Sequence, residues 1–101
     1  MSASLSSRAR RELLDAVAWI AEDNPAAAGG LIDAVEAAAQ TIGDHPRIGR
    51  RRPELTNGPF RFVTLTGYPY LLVYAENEKP PIIVRMVHGA RDLPRVLRYL
   101  R

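Results

Sequence analysis

Two patterns of apolar and polar positions divide the chain. Up to residue 44 the apolar residues recur every three or four positions, as on one face of a helix. Ala9, Leu13, Val17 and Ile20 form one such stripe, with Leu14 and Ala21 beside it. Ser6 or Ser7 can accept from the free amides that open this helix, and Glu12 adds charge to its early turns. The helix is expected to end near Asp23. Asn24-Pro25 reads as a stop and restart, with Asn as cap and Pro at the first helical position. A second helix is expected from about Pro25 to Gly43. Its stripe is Leu31, Val35, Ala38 and Ile42, widened by Ile32 and Ala39. Gly29-Gly30 within it costs about 1 kcal/mol per glycine relative to alanine. The pair serves either close packing against the first helix or a weak spot near the start of the second. So short a link makes the two helices an antiparallel hairpin.

After His45-Pro46 the pattern changes. Residues 47–59 carry four Arg, two Gly and two Pro and read as a loop with one short strand at most. Phe60 to Thr66 reads as a strand, with Phe60, Phe62, Thr64 and Thr66 on one face and Arg61, Val63 and Leu65 on the other. Gly67-Tyr68-Pro69 is a turn, Tyr70 to Glu76 a second strand, and Asn77 to Pro80 another turn. Ile82 to His88 is an apolar run rich in β-branched residues, the mark of a strand buried on both faces. Short connections predict antiparallel pairing. Residues 2–6 read as a brief edge strand. Asp92 can cap a short third helix with Leu93, Val96, Leu97 and Leu100 on its apolar side. The expected fold is α+β: an N-terminal short strand, a helical hairpin on one face of a mainly antiparallel sheet of three to four strands, and a short C-terminal helix. Its 101 residues make one domain with a modest core.

Arg85 interrupts the last strand, and His88 ends it. A cation in a buried strand needs a partner or a cleft. Either it pairs with an acid of the first helix, such as Glu12 or Asp15, or it marks a functional surface together with His88 and Arg91. Charge is unevenly spread. Residues 1–44 hold three Arg against seven acids, net −4; residues 45–101 hold eleven basic residues against four acids, net +7. All of those eleven but Lys79 are arginine, the residue suited to fixed contact with phosphate or carboxylate. The second half therefore expects an anionic partner, nucleic acid or an acidic protein segment.

Other chemistry finds little support. Cysteine is absent, which removes disulfides, thiolate catalysis and thiolate zinc sites and fits a cytosolic protein. The two histidines, His45 and His88, lie far apart with no carboxylate cluster joining them, so no metal is expected. The serines are confined to residues 2–7, no glycine-rich phosphate loop is present, and no cofactor is implied. No apolar run approaches the roughly 18 residues of a membrane span, and the first residues lack the basic-then-apolar order of a signal peptide. One enzymatic reading stays open. Cleavage of RNA by its own ribose hydroxyl needs a base, an acid and cations for the phosphate. His88 could act as base or acid, with Arg61, Arg85 and Arg91 as cations. Against it, one histidine without a second acid–base group favours a strand-end histidine bonded to backbone.

Four local patterns carry a resemblance: Leu5-Ser6-Ser7-Arg8-Ala9 with Leu13, Asn24-Pro25-Ala26-Ala27, His45-Pro46-Arg47-Ile48-Gly49-Arg50, and Arg85 through Leu93. In order and spacing the chain resembles the ParE branch of the RelE/ParE toxins of bacterial type II toxin–antitoxin modules. That resemblance implies a small cytoplasmic toxin neutralised in a hetero-oligomer by a ParD-like antitoxin. It implies DNA gyrase as target, poisoned by binding, with nucleic acid met only through gyrase or the antitoxin complex. The alternatives are a RelE-like ribosome-dependent endoribonuclease using His88, Arg85 and Arg61, and a non-toxic module that only binds antitoxin. On this reading Arg61, Arg85, His88, Arg91 and Arg95 meet the target. Trp19, Arg50, Arg51, Arg52 and Tyr74 meet the antitoxin, although Trp19 and Tyr74 read equally as core. Tyr99 resembles in position a C-terminal tyrosine of some ribonuclease members, or packs as a helix residue. The antitoxin is expected to be acidic over the Arg-rich half and apolar over the helical hairpin.

Overall fold

The computed structural model describes residues 1–89. Its elements run β1 (Ser4–Leu5), α1 (Ser7–Ala21), α2 (Pro25–Asp44), β2 (Phe60–Thr64), β3 (Tyr70–Ala75) and β4 (Ile82–His88). The architecture is α+β. The expected third helix, with Asp92 as its cap, lies outside the described residues.

Both helices start where their caps place them. Ser6 accepts from the Ala9 amide and Asn24 from the Ala27 amide, each satisfying one donor that the first turn leaves open. Helix α1 stops at Ala21, short of Asp23, because the Asp23 and Asn24 amides both turn back to the Ile20 carbonyl. The buried faces are Ala9 and Ala16 on α1, and Ala28, Leu31, Val35, Ala39 and Ile42 on α2. The Gly29-Gly30 pair does not serve close packing against α1. Gly29 meets nothing, while a Cβ on Gly30 would sit 2.5 Å from the Tyr68 hydroxyl, which donates to the Ala27 carbonyl. Glycine here admits the β2–β3 turn, not α1.

The sheet order is β1-β4-β3-β2. β2 pairs with β3 and β3 with β4, both antiparallel as the short turns require. β1 pairs with β4 in parallel, Ser4 opposite Ile82 and Leu5 opposite Ile83, so the sheet is mixed. The whole helical hairpin and meander intervene between these two strands, which frees their direction from any tight turn. β2 is two residues shorter than expected; beyond Thr64 the Leu65 amide bonds the Tyr70 carbonyl, and Gly67 takes a φ of +84° in the turn.

Each face of the sheet carries an apolar cluster. Leu72, Tyr74, Ile83 and Met86 pack with Leu31, Val35, Ile42 and the alanines of the helices. Phe60, Phe62, Leu71, Val73, Ala75 and Val87 form a second cluster, with Val84 against it. Alternation along β2 falls as expected: Phe60 and Phe62 join one cluster, Val63 and Leu65 the other. On β4 the alternation is reset. Val73 lies opposite Arg85 and Tyr74 opposite Ile83, leaving Val84 as a bulge. That extra residue lets Ile83 and Met86, an odd number of positions apart, both face the helices.

Candidate functional site

Arg85 and Glu12 form a largely buried ion pair. The Arg85 Nε lies 3.1 and 3.2 Å from the two Glu12 carboxylate oxygens, and its Nη2 lies 2.7 Å from Oε2. The Met86 amide donates to Glu12 Oε1 at 2.9 Å. The sequence places these groups together. β1 covers β4 only as far as Ile83, and α1 begins directly after it. The first turns of α1 therefore run along the edge of β4 beyond its pairing with β1. There Ser6 Oγ donates to the Val84 carbonyl at 3.0 Å. Arg85 thus has the acidic partner on the first helix that the sequence allowed. Its side chain is 9 % exposed and committed. A role for Arg85 in target binding or in holding phosphate would have to compete with this pairing.

Arg61 is committed in the same way at the other side of the sheet. Its Nε donates to Glu76 at 2.7 Å, and its Nη1 donates to the Gly49 carbonyl at 2.9 Å. Glu76 also pairs with Arg51. The hydrogen bond from Arg61 holds the Glu76 carboxyl below the usual carboxylate range. Arg61 braces the loop after α2, and its partly buried guanidinium is already paired. Arg52 pairs with Glu54 at 3.0 Å. Arg50 bridges Phe62 through its backbone while its residue stays exposed. Arg50 and the half-exposed Arg51 and Arg52 remain accessible to an acidic partner.

Tyr74 belongs to the core and not to an antitoxin surface. It is fully buried. Its hydroxyl donates to the Pro46 carbonyl at 2.6 Å and accepts from the Gly49 amide at 3.0 Å. Burial pushes its pKa up. Gly49 is required for this approach: a Cβ there would stand 2.8 Å from the Tyr74 ring.

Trp19 does the opposite. It is 71 % exposed and is not core. It lies off the inward stripe, one turn beyond Asp15 on the same face of α1. Together with Glu12, Asp15 and Ala16 it lines a cleft of about 310 Å³ whose other wall is Tyr70, Met86 and His88. The Tyr70 and His88 rings meet edge to face, centroids 5.8 Å apart at 78°. Tyr70 and Asp15 are the site residues that type alone does not reveal; the only hint is their register, Tyr70 directly opposite His88 and Asp15 one turn before Trp19.

The three residues of the ribonuclease reading do not converge. Arg61 stands opposite Tyr74 and His88 opposite Tyr70, with β3 between them. Strand geometry separates them by about 10 Å across the sheet and about 13 Å along it. His88 instead faces carboxylates and aromatic rings. Among the described residues no group of three or more His, Asp or Glu could hold a metal ion, and no helix is long and apolar enough to cross a membrane. Arg91, Arg95 and Tyr99 lie outside the described residues.

The family model for the ParE toxin of the type II toxin–antitoxin system parDE matches residues 3–93. The chain belongs to the ParE toxin family. Toxin RelE3 of Caulobacter vibrioides is 30% identical to this ParE-family chain over 88 residues, covering 87% of it and 94% of the relative. A solved structure, the chromosomal ParDE toxin–antitoxin system from P. aeruginosa, superposes with a TM-score of 0.72 at 18% identity. It covers 87% of this chain and 95% of the other, and so shares its fold. The four local patterns quoted above fall within the span of the ParE model.

Proposed function

We propose that this ParE-family chain is a cytoplasmic toxin that a ParD-like antitoxin neutralises in a hetero-oligomer. We further propose that it acts on DNA gyrase by binding, without chemistry of its own. The observation that carries the second part is the commitment of Arg85 to Glu12 and of Arg61 to Glu76. Phosphoryl transfer through His88 would need cations beside it to meet the charge that builds up. Glu12 and Asp15 line the cleft with His88 instead. In this reading Arg91 and Arg95 contact the target. Trp19, Arg50, Arg51 and Arg52 contact the antitoxin. Family membership and the P. aeruginosa ParDE fold support an antitoxin partner.

The test is a pulse-label after induction in bacteria lacking the antitoxin, following thymidine and methionine incorporation over the first minutes. Early loss of DNA synthesis is expected. Early loss of protein synthesis would replace the gyrase reading with RNA cleavage. No loss of either would leave a non-toxic antitoxin-binding module.

A further inference from the structure

The cleft between α1 and the adjoining ends of β3 and β4 combines three features that point to one ligand chemistry. The first is the unusual exposure of Trp19, at 71 %. Tryptophan is a large apolar side chain, and an exposed one at the mouth of a cleft is a typical anchor for a partner. The second is charge. Of the two carboxylates lining the cleft, Glu12 is balanced by Arg85, but Asp15 is exposed and has no ion-pair partner among the described residues. The third is shape: Tyr70 and His88, locked edge to face, form the wall across from Ala16 and Trp19. A flat indole face beside a carboxylate with no ion-pair partner among the described residues, in a recess of about 310 Å³, suits a planar cation.

We propose that this cleft receives an arginine side chain of a protein partner. Its guanidinium stacks on Trp19 and pairs with Asp15, while its alkyl stem lies against Ala16 and Met86. Arginine fits better than lysine because its planar group stacks and its charge is weakly hydrated. Charge complementarity excludes an acidic side chain here, whereas the loop around Arg50, Arg51 and Arg52 favours one. The occupant's identity as a residue of the antitoxin rests on the toxin reading above. The pocket's chemistry does not, so the partner segment carries a basic residue where it crosses α1 and acidic residues where it reaches the arginine loop.

Trp19 is the only tryptophan of the chain, so its fluorescence reports directly on the site. The full chain is titrated with acetyl-Ala-Arg-Ala-amide and with the same peptide carrying citrulline, which keeps the shape and removes the charge. A saturable change in Trp19 emission is expected with the arginine peptide. The citrulline peptide and the Asp15→Asn variant should each bind about fivefold more weakly. Asp33→Asn, an exposed acid on α2, serves as the control and should leave binding unchanged. No saturable change, equal response to citrulline, or indifference to Asp15→Asn would overturn the proposal. Asp15 is exposed, so its loss leaves the fold intact, which far-UV circular dichroism verifies. Harmless expression in cells would overturn the toxin reading and leave the peptide result standing.

Discussion

Glu12 holds Arg85 with both carboxylate oxygens and takes the Met86 amide as well. One side chain from α1 thus satisfies a cation and a backbone donor of β4. Removing one partner of such a pair strands the other in poorly solvated surroundings. Glu12→Gln and Arg85→Met are each expected to destabilise the fold by about 3 kcal/mol. The double variant should lose less than the sum of the singles, with a coupling of about 1–3 kcal/mol. Urea unfolding of the four proteins measures this. Additive losses would show that the contact contributes nothing specific.

Glu76 makes stability depend on pH in the acid range. Its folded-state pKa is depressed, first by the hydrogen bond from Arg61. The unfolded chain therefore binds this proton more readily than the folded one. The contribution is fully present above the ordinary glutamate pKa. It is lost as pH falls from there through the depressed folded value. Glu76→Gln should flatten that part of the stability curve and leave the shape near neutral pH unchanged. Thermal unfolding across an acid series provides the comparison.

Tyr74→Phe removes the hydroxyl that joins the Pro46 carbonyl to the Gly49 amide. Two backbone groups lose their partner, at a cost of about 1–3 kcal/mol. Gly49→Ala attacks the same contact from the other side and should raise hydrogen exchange around residues 46–50. If amide exchange there matched wild type in both variants, the hydroxyl would not be what fixes this loop.

Trp19→Ala should change stability by no more than about 0.5 kcal/mol, because the ring is largely exposed. Its effect is expected in neutralisation: a co-expressed antitoxin should protect cells less well from this variant. Growth under co-induction reads the outcome. Undiminished protection would remove Trp19 from the antitoxin surface.

The regular elements were legible because their side chains repeat with the period of the backbone. The span of β4 and most of the α2 stripe follow from spacing alone, whereas Leu14 and Ile32, expected beside the stripes, are exposed and Ala16 takes a buried place on α1. The cost of an unpaired buried charge left Arg85 two outcomes, an acid of the first helix or a functional surface, and the structure shows the first. What spacing does not carry is register. The run Ile82 to Val87 is apolar almost throughout, so nothing in it shows that Val84 bulges. The parallel direction of β1 depends on where the chain returns after some seventy residues, beyond any local signal. Trp19 and Tyr74 carried the same two readings, antitoxin surface or core, and the structure separates them. One lies off the helical stripe and the other sits at the centre of the sheet, a difference set by tertiary neighbours. Arg61 looked free because its anchor, Glu76, follows the next strand rather than sitting beside it in sequence.

An open strand is normally an invitation to other strands, and long exposed edges drive sheets to join between molecules. β4 declines that invitation with a charged side chain rather than with more backbone. A foreign strand pairing at Met86 would have to evict Glu12 and leave Arg85 without its counter-charge. The contact therefore sets a cost, a stranded carboxylate and a stranded cation, on any strand that would pair with β4 at this point.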